Sequence, residues 1–355
     1  MVLGLEYLEN TLLLGGMVVI VALAFDHMLN HAGIPAFVNR IPVMLGAFTV
    51  SAVSMRLVFA VASSTGVQLL NWGDMQGWIY NNKENTQLVN SFLADNPALC
   101  IGLILFTFAA SMVLGGLGGW LLARAAIGLS PALMLMVTLG LTDLGCIFGR
   151  NVTWLSAGTL GLFVPDFLAF APGYQGILLM GITAAVVAVI YLLLDRLEAS
   201  PWGRLVAAVA DNLVAAASLG KDILSVRGQV VFFASGLMAL AGVMWSFYSL
   251  FVVESSFHNG LWLFWPMMAA VLIGGSGHRW RIILGTGVFY SINLLLISFK
   301  FELQYIFPFP VSYAQDLILS IVILLALTRL PRIMARRRII NMRGIRYDEV
   351  VTDTS

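Results

Sequence analysis

Nine apolar stretches of roughly membrane-spanning length limit what this chain can become more than any other feature. A helix rises ~1.5 Å per residue, so crossing ~30 Å of hydrocarbon takes roughly 20 residues. The runs fall at residues 11–28, 41–61, 98–122, 131–148, 176–194, 230–252, 261–273, 282–298 and 314–330. Hydrophobic residues make up 60% of the chain and charged ones only 10%, against about 25% charged in soluble domains. No water-soluble core hides that much apolar surface. The expected fold is therefore all-α: a polytopic helical bundle of about nine spans, bracketed by eight and ten. The seventh run is short and Gly274, Gly275 and Gly277 follow it, so a broken or re-entrant helix is expected there. Residues 1–330 form the membrane domain, 195–229 a cytoplasmic segment within it, and 331–355 a basic cytoplasmic tail.

Charge sets the orientation. Glu6 and Glu9 precede the first run and no Lys or Arg does, so that run reads as a retained span, not a signal peptide. With the N-terminus outside, 15 of the 19 basic residues face the cytoplasm, among them Arg40, Arg124, Arg204 and Arg227. Lys83, Arg150 and Lys300 lie outside, and Arg56 falls within the second span. The positive-inside rule then gives N-terminus out and C-terminus in. The outside loop at 63–97 carries Trp72, Trp78 and Tyr80, which suit an interfacial aromatic belt, and the polar turn material "YNNKENTQ". Cys100 and Cys146 sit in apolar runs and read as core residues.

Between two lipid-like runs stands "SPWGRLVAAVADNLVAAASLGKDILSVRGQ". Ser200 and Pro201 make a helix start, and Gly220 a helix stop. Val206, Val209, Ala210, Leu213 and Ala217 recur at helical spacing, with Arg204, Asp211, Asn212 and Ser218 on the other face. This is one helix or two short ones. Two roles stand open: a helix resting on the membrane surface, or one that inserts into a groove on a soluble partner.

The order Gly203-Arg204, Asp211-Asn212, Ala215-Ala216-Ala217, Leu219-Gly220, Arg227 and Leu240-Ala241-Gly242 resembles the branched-chain amino acid ABC transporter permeases of the LivH/LivM type. Downstream, "MMAAVLIGGSGHRWRIILGTGVF" is similar to that family's Gly-rich turn and helix, at Gly274, Gly275, Gly277, Gly285 and Gly287. Upstream, "SAGTLGLFVPD" resembles its outside Gly-rich loop, at Gly158, Gly161 and Pro165. Nearer the N-terminus only Asn30, Gly33, Pro35 and Gly46 match. The resemblance implies a permease subunit of an ABC importer in a prokaryotic cytoplasmic membrane, taking up branched-chain amino acids or a related small polar solute. It implies that Pro201, Gly203, Arg204, Asp211, Asn212, Leu219 and Gly220 form the coupling helix gripped by an ATPase. The implied companions are a second permease, similar or identical, two cytoplasmic ATPases that bind the ATP and Mg, and an extracytoplasmic binding protein. The chain itself carries no G-x-x-x-x-G-K-[ST] phosphate cradle and is expected to hold no cofactor or metal and to be no enzyme.

Other chemistry competes. Ser276 in "GGSG" fits an intramembrane serine protease, but no His follows His278 to act as its base; a glycine turn is the plainer reading. Asp26, His27, Asn30 and His31 cluster at the end of the first span, with the two histidines one turn apart. They read as a metal or proton-relay set, or as groups that meet water and neighbouring loops. Arg56 and Asp143 lie furthest inside spans, either paired with each other or lining the solute route. Asn293 is a lining residue or a helix–helix hydrogen bond. Asp26, Asp143 and the broken seventh span would be the centre of the rival reading, an ion-coupled secondary transporter. The tail "RLPRIMARRRIINMR" reads as an anchor for anionic lipid headgroups, not as a nucleic-acid surface.

Overall fold

The computed structural model describes the backbone of residues 2–258 and 279–298, with side chains except at 1–8, 289, 292–293 and 295–298. The chain divides into two compact units, Met1–Ser291 and Ile292–Ser355, and the architecture below is that of the first. Helix α1 (Val2–Asp26) continues as a π turn, His27–His31. Helices α2 (Arg40–Phe48) and α3 (Met55–Ser64) are joined by a second π segment, Thr49–Ser54. Then come α4 (Met75–Tyr80), α5 (Asn82–Ala94), α6 (Pro97–Arg124), α7 (Pro131–Asn151) and α8 (Thr153–Ser156). Strand β1 (Leu162–Phe163) precedes α9 (Gln175–Ala199), α10 (Pro201–Asp211), α11 (Leu213–Ser218) and α12 (Ile223–Ser249). Strand β2 (Phe251–Val252) pairs antiparallel with β1, and α13 covers Arg279–Ser298. Pro97, Pro131 and Pro201 each open a helix, where a missing N–H costs nothing.

Six helical segments among the described residues are long and apolar enough to cross a membrane: Glu9–His31, Arg40–Ser64, Pro97–Arg124, Pro131–Asn151, Gln175–Ala199 and Ile223–Ser249. This is a multi-pass helical membrane protein. These six match the first six expected runs, and α13 matches the eighth. The seventh and ninth runs, the glycines Gly274, Gly275 and Gly277, Ser276 and the basic tail lie outside the described residues.

The bundle closes on α12, which packs against α1, α2, α6 and α9. Its approach is close because glycines allow it. A Cβ at Gly242 would run into the Val43 carbonyl, one at Gly46 into the Ala239 carbonyl, and one at Gly115 into the Ala239 side chain. Lipid offers no hydrophobic drive between helices, so van der Waals contact through small residues has to supply it. Buried hydroxyls add to it: Ser54 and Thr107 share a 2.7 Å hydrogen bond between the second and third spans.

Two expectations change here. Residues 33–39, between the first two runs and expected on the cytoplasmic side with Arg40, form an irregular stretch packed into the protein, with Ile34, Ala36, Val38 and Asn39 fully buried. Irregular backbone survives there because α7 satisfies it: Thr138 Oγ1 accepts from the Phe37 N–H at 3.0 Å and Thr142 Oγ1 donates to the Phe37 carbonyl at 2.8 Å. The 63–97 connection is likewise no loop of turns. Helix α5 occupies its asparagine-rich stretch, and Trp72 and Trp78 pack edge-on to Phe59; Tyr80 is exposed.

Candidate functional site

The segment 195–229 folds as two short helices and a turn, each boundary made by its own sequence. Ser200 Oγ accepts from the Gly203 N–H at 3.2 Å and so caps α10. Asn212, extended at φ −152°, ends α10 and caps α11 by accepting from the N–H groups of Val214 and Ala215 at 3.1 and 3.0 Å. Gly220 takes φ +73° after α11, and Asp222 caps α12 through the Ser225 N–H at 3.2 Å. The break at Asn212 turns the second helix relative to the first. Val206 and Val209 are buried as their spacing predicts. Leu213 and Ala217, expected on the same face, are exposed, and Ala216 is buried in their place. Val214 and Leu219 are each 79% exposed, leaving an apolar tip on an otherwise polar projection. Asp211 and Asn212 are exposed beside it.

The base of α10 is seated without slack. A Cβ at Gly203 would lie 2.5 Å from the carbonyl oxygens of both Leu197 and Glu198. Arg204 Nη1 donates to the Ala199 carbonyl at 2.9 Å, satisfying an orphan acceptor at the end of α9. Trp202 Nε1 donates to Gln229 Oε1 of α12 at 3.0 Å. Beside this base a cleft of about 970 Å³ opens between α6, α10 and α12, with Trp120, Arg124, Asp222 and Phe233 in its wall.

The histidine cluster of the first span meets this base. His27 Nδ1 donates to Glu198 Oε1 at 2.8 Å, and His31 Nε2 donates to the Gly203 carbonyl at 3.2 Å. His31 Nδ1 lies 3.8 Å from Glu198 Oε2, and the two imidazoles stack with centroids 5.3 Å apart. Arg279, at the start of α13, forms an ion pair with Glu198 and reaches Asp195 at 3.4 Å. Asn30 donates to Asp26 Oδ1 at 2.7 Å, within its own turn. Among the described residues no group of His, Cys, Asp and Glu is arranged to hold a metal ion.

The intramembrane charges do not form the Arg56–Asp143 pair. Asp143 Oδ1 accepts from Arg40 Nη1 at 2.5 Å, because the buried irregular stretch before Arg40 is held against α7. Arg56 donates to the Trp154 carbonyl at 2.6 Å and lies 4.4 Å above the Trp78 ring. Arg227 is also buried, donating to the Ile127 carbonyl at 2.7 Å, so two residues counted as cytoplasmic cations serve the interior. Asn293 lies on α13, its side chain outside the described residues. Gly158 and Gly161 both take positive φ, and a Cβ at Gly161 would press on the Val252 carbonyl at 2.8 Å. Cys100 and Cys146 are buried free thiols.

Glu198 is the site residue that pattern reading passed over, although one signal was present. A carboxylate in the last turn of a helix opposes the helix dipole, so its presence there calls for cations from elsewhere.

No solved structure is matched by this chain. It is 26% identical over 335 residues to the probable branched-chain amino acid transport permease protein LivM of Methanocaldococcus jannaschii, covering 93% of each chain. The profile of the family described as branched-chain amino acid transport system / permease component matches residues 7–327, nearly all of the bundle and the whole α10–α11 projection. The chain belongs to that family of transport permeases, whose members are transport subunits and not themselves enzymes.

Proposed function

We propose that this permease subunit of an ABC importer carries branched-chain amino acids, or a related small polar solute, by moving its bundle when ATPase subunits pull on α10 and α11. The assembly has a second permease, two ATPases holding ATP and Mg, and an extracytoplasmic binding protein. The observation that carries the docking role is the apolar tip. Val214 and Leu219 stand exposed at the end of a short, well-capped projection, the form a helix takes when it enters a partner's groove. Asp211, Asn212 and Gly220 shape that tip, while Pro201, Gly203 and Arg204 seat its base.

The nine-span reading, with the N-terminus outside and the C-terminus in the cytoplasm, belongs to the same proposal. Tyr248 donates to Asn10 at one end of the bundle and Arg279 pairs with Glu198 at the other, so the end of α12 and the start of α13 stand at opposite ends, which supports that reading.

Mild-detergent purification from native membranes tests the docking role. ATPase subunits bearing a phosphate cradle should accompany the wild-type chain. Val214→Asp with Leu219→Asp should cut their recovery about tenfold or more. Recovery of the intact chain without any ATPase would overturn the proposal.

A further inference from the structure

Glu198 is where four parts of the membrane domain meet. Its carboxylate ends α9, takes the hydrogen bond from His27 of the first span, and pairs with Arg279 of α13. Five residues on, the carbonyl of Gly203 in α10 takes the bond from His31. Gly203 itself sits flush on the Leu197 and Glu198 carbonyls. Movement of α10 therefore has no play to take up before it reaches α9 and the end of α1.

Two features are costly if stability were the only purpose. The carboxylate stands at the negative end of a helix, a local misfit of the kind found at working sites. The His27 side chain is 0% exposed between Trp202 and Phe233, yet its Nε2 has no hydrogen-bond partner. A buried polar atom left unpaired is destabilising, and leucine would fill the same space without it. The ring is kept there with one hydrogen bond, and that bond goes to Glu198.

We propose that His27 and Glu198 are positioning residues for transport: the His27–Glu198–Arg279 cluster is the strut that carries displacement of α10 into the first span. This rests on α10 and α11 being the element the ATPases grip. The strut acts after docking, so its loss uncouples hydrolysis from uptake without releasing the ATPases.

The test uses the whole transporter in liposomes, with labelled leucine presented by its own binding protein. Leucine taken up per ATP hydrolysed is measured for each assembled complex. His27→Leu should lower that ratio about fivefold or more, the lower range of a coupling effect between sites. ATPase recovery should stay at the wild-type level and thermal stability should not fall. His27→Asn, whose amide N–H takes the place of the Nδ1 donor toward Glu198, should retain most of the ratio. Glu198→Gln, near-isosteric and partly exposed, serves as the second variant should His27→Leu assemble poorly, and it too should lower the ratio. An unchanged ratio in assembled Glu198→Gln or His27→Leu complexes would overturn the strut, as would equal losses in His27→Leu and His27→Asn. Failure of the wild-type chain to bring ATPases or to take up leucine would instead count against the transport proposal itself.

Discussion

The three inner spans, Glu9–His31, Arg40–Ser64 and Ile223–Ser249, bury 78, 72 and 78% of an apolar 18-residue stretch within the protein. The three outer spans, Pro97–Arg124, Pro131–Asn151 and Gln175–Ala199, bury 33, 28 and 28% of the corresponding stretch. Hydropathy does not separate the two groups, since the most apolar of these six, Gln175–Ala199, is an outer one. In water the most apolar segment goes inside. In lipid, hydrocarbon is as good a neighbour as protein, so apolarity loses that power. The inner spans are marked by what lipid will not accept or cannot pack: Asp26, His27, Arg40, Ser51 and Arg227 are all buried there, with the close-contact glycines Gly46 and Gly242. The outer spans show lipid a surface of Leu, Ile, Val and Phe, such as Leu105, Leu121, Phe148 and Ile177.

The sharpest way to break this contrast is at the tightest inner contact. Gly242→Leu sets a side chain against backbone that cannot move aside, and should cost about 3 kcal/mol or more. Thermal melting in detergent reads it; a melt like wild type would mean the α2–α12 contact is looser than described. Next is the seam between groups. Asp143→Leu leaves Arg40, whose side chain is 8% exposed, without its counterion, at about 2–3 kcal/mol. The double change to Met at 40 and Leu at 143 should recover most of that in the same assay. Smallest is Leu121→Ala on the outer face. It should cost under about 0.5 kcal/mol, where the same truncation in a soluble core costs roughly 2–5. A larger loss would mean that protein, not lipid, covers Leu121, and would mark the face of a partner subunit.

Legibility followed the range of the interactions. The projection was readable because its signals are local: Ser200, Asn212, Asp222 and Gly220 each act within three or four residues of themselves. The 63–97 connection departs from its local pattern for the opposite reason. The amides of Asn82, Asn85 and Asn90 look like turn residues, but from α5 they accept from the N–H groups of Phe163, Leu70 and Asp166. Burial there also raises the Asp166 carboxyl above its ordinary value, opposed by the hydrogen bond it accepts from the Leu168 N–H. The histidine pair was visible as a pair, but its partner lies 171 residues away, where no spacing rule reaches.

What the sequence determined by itself is the class of protein and the position of the six spans found among the described residues, because crossing hydrocarbon requires some twenty apolar residues in a row whatever their neighbours. It determined the projection too, through caps that bond to their own backbone. The tertiary structure alone decided which spans lie inside, that Arg40 and not Arg56 meets Asp143, and that His27 and Arg279 converge on Glu198. Those choices depend on which helix faces stand side by side, and in lipid that is set by shape and by buried polar partners instead of by hydropathy.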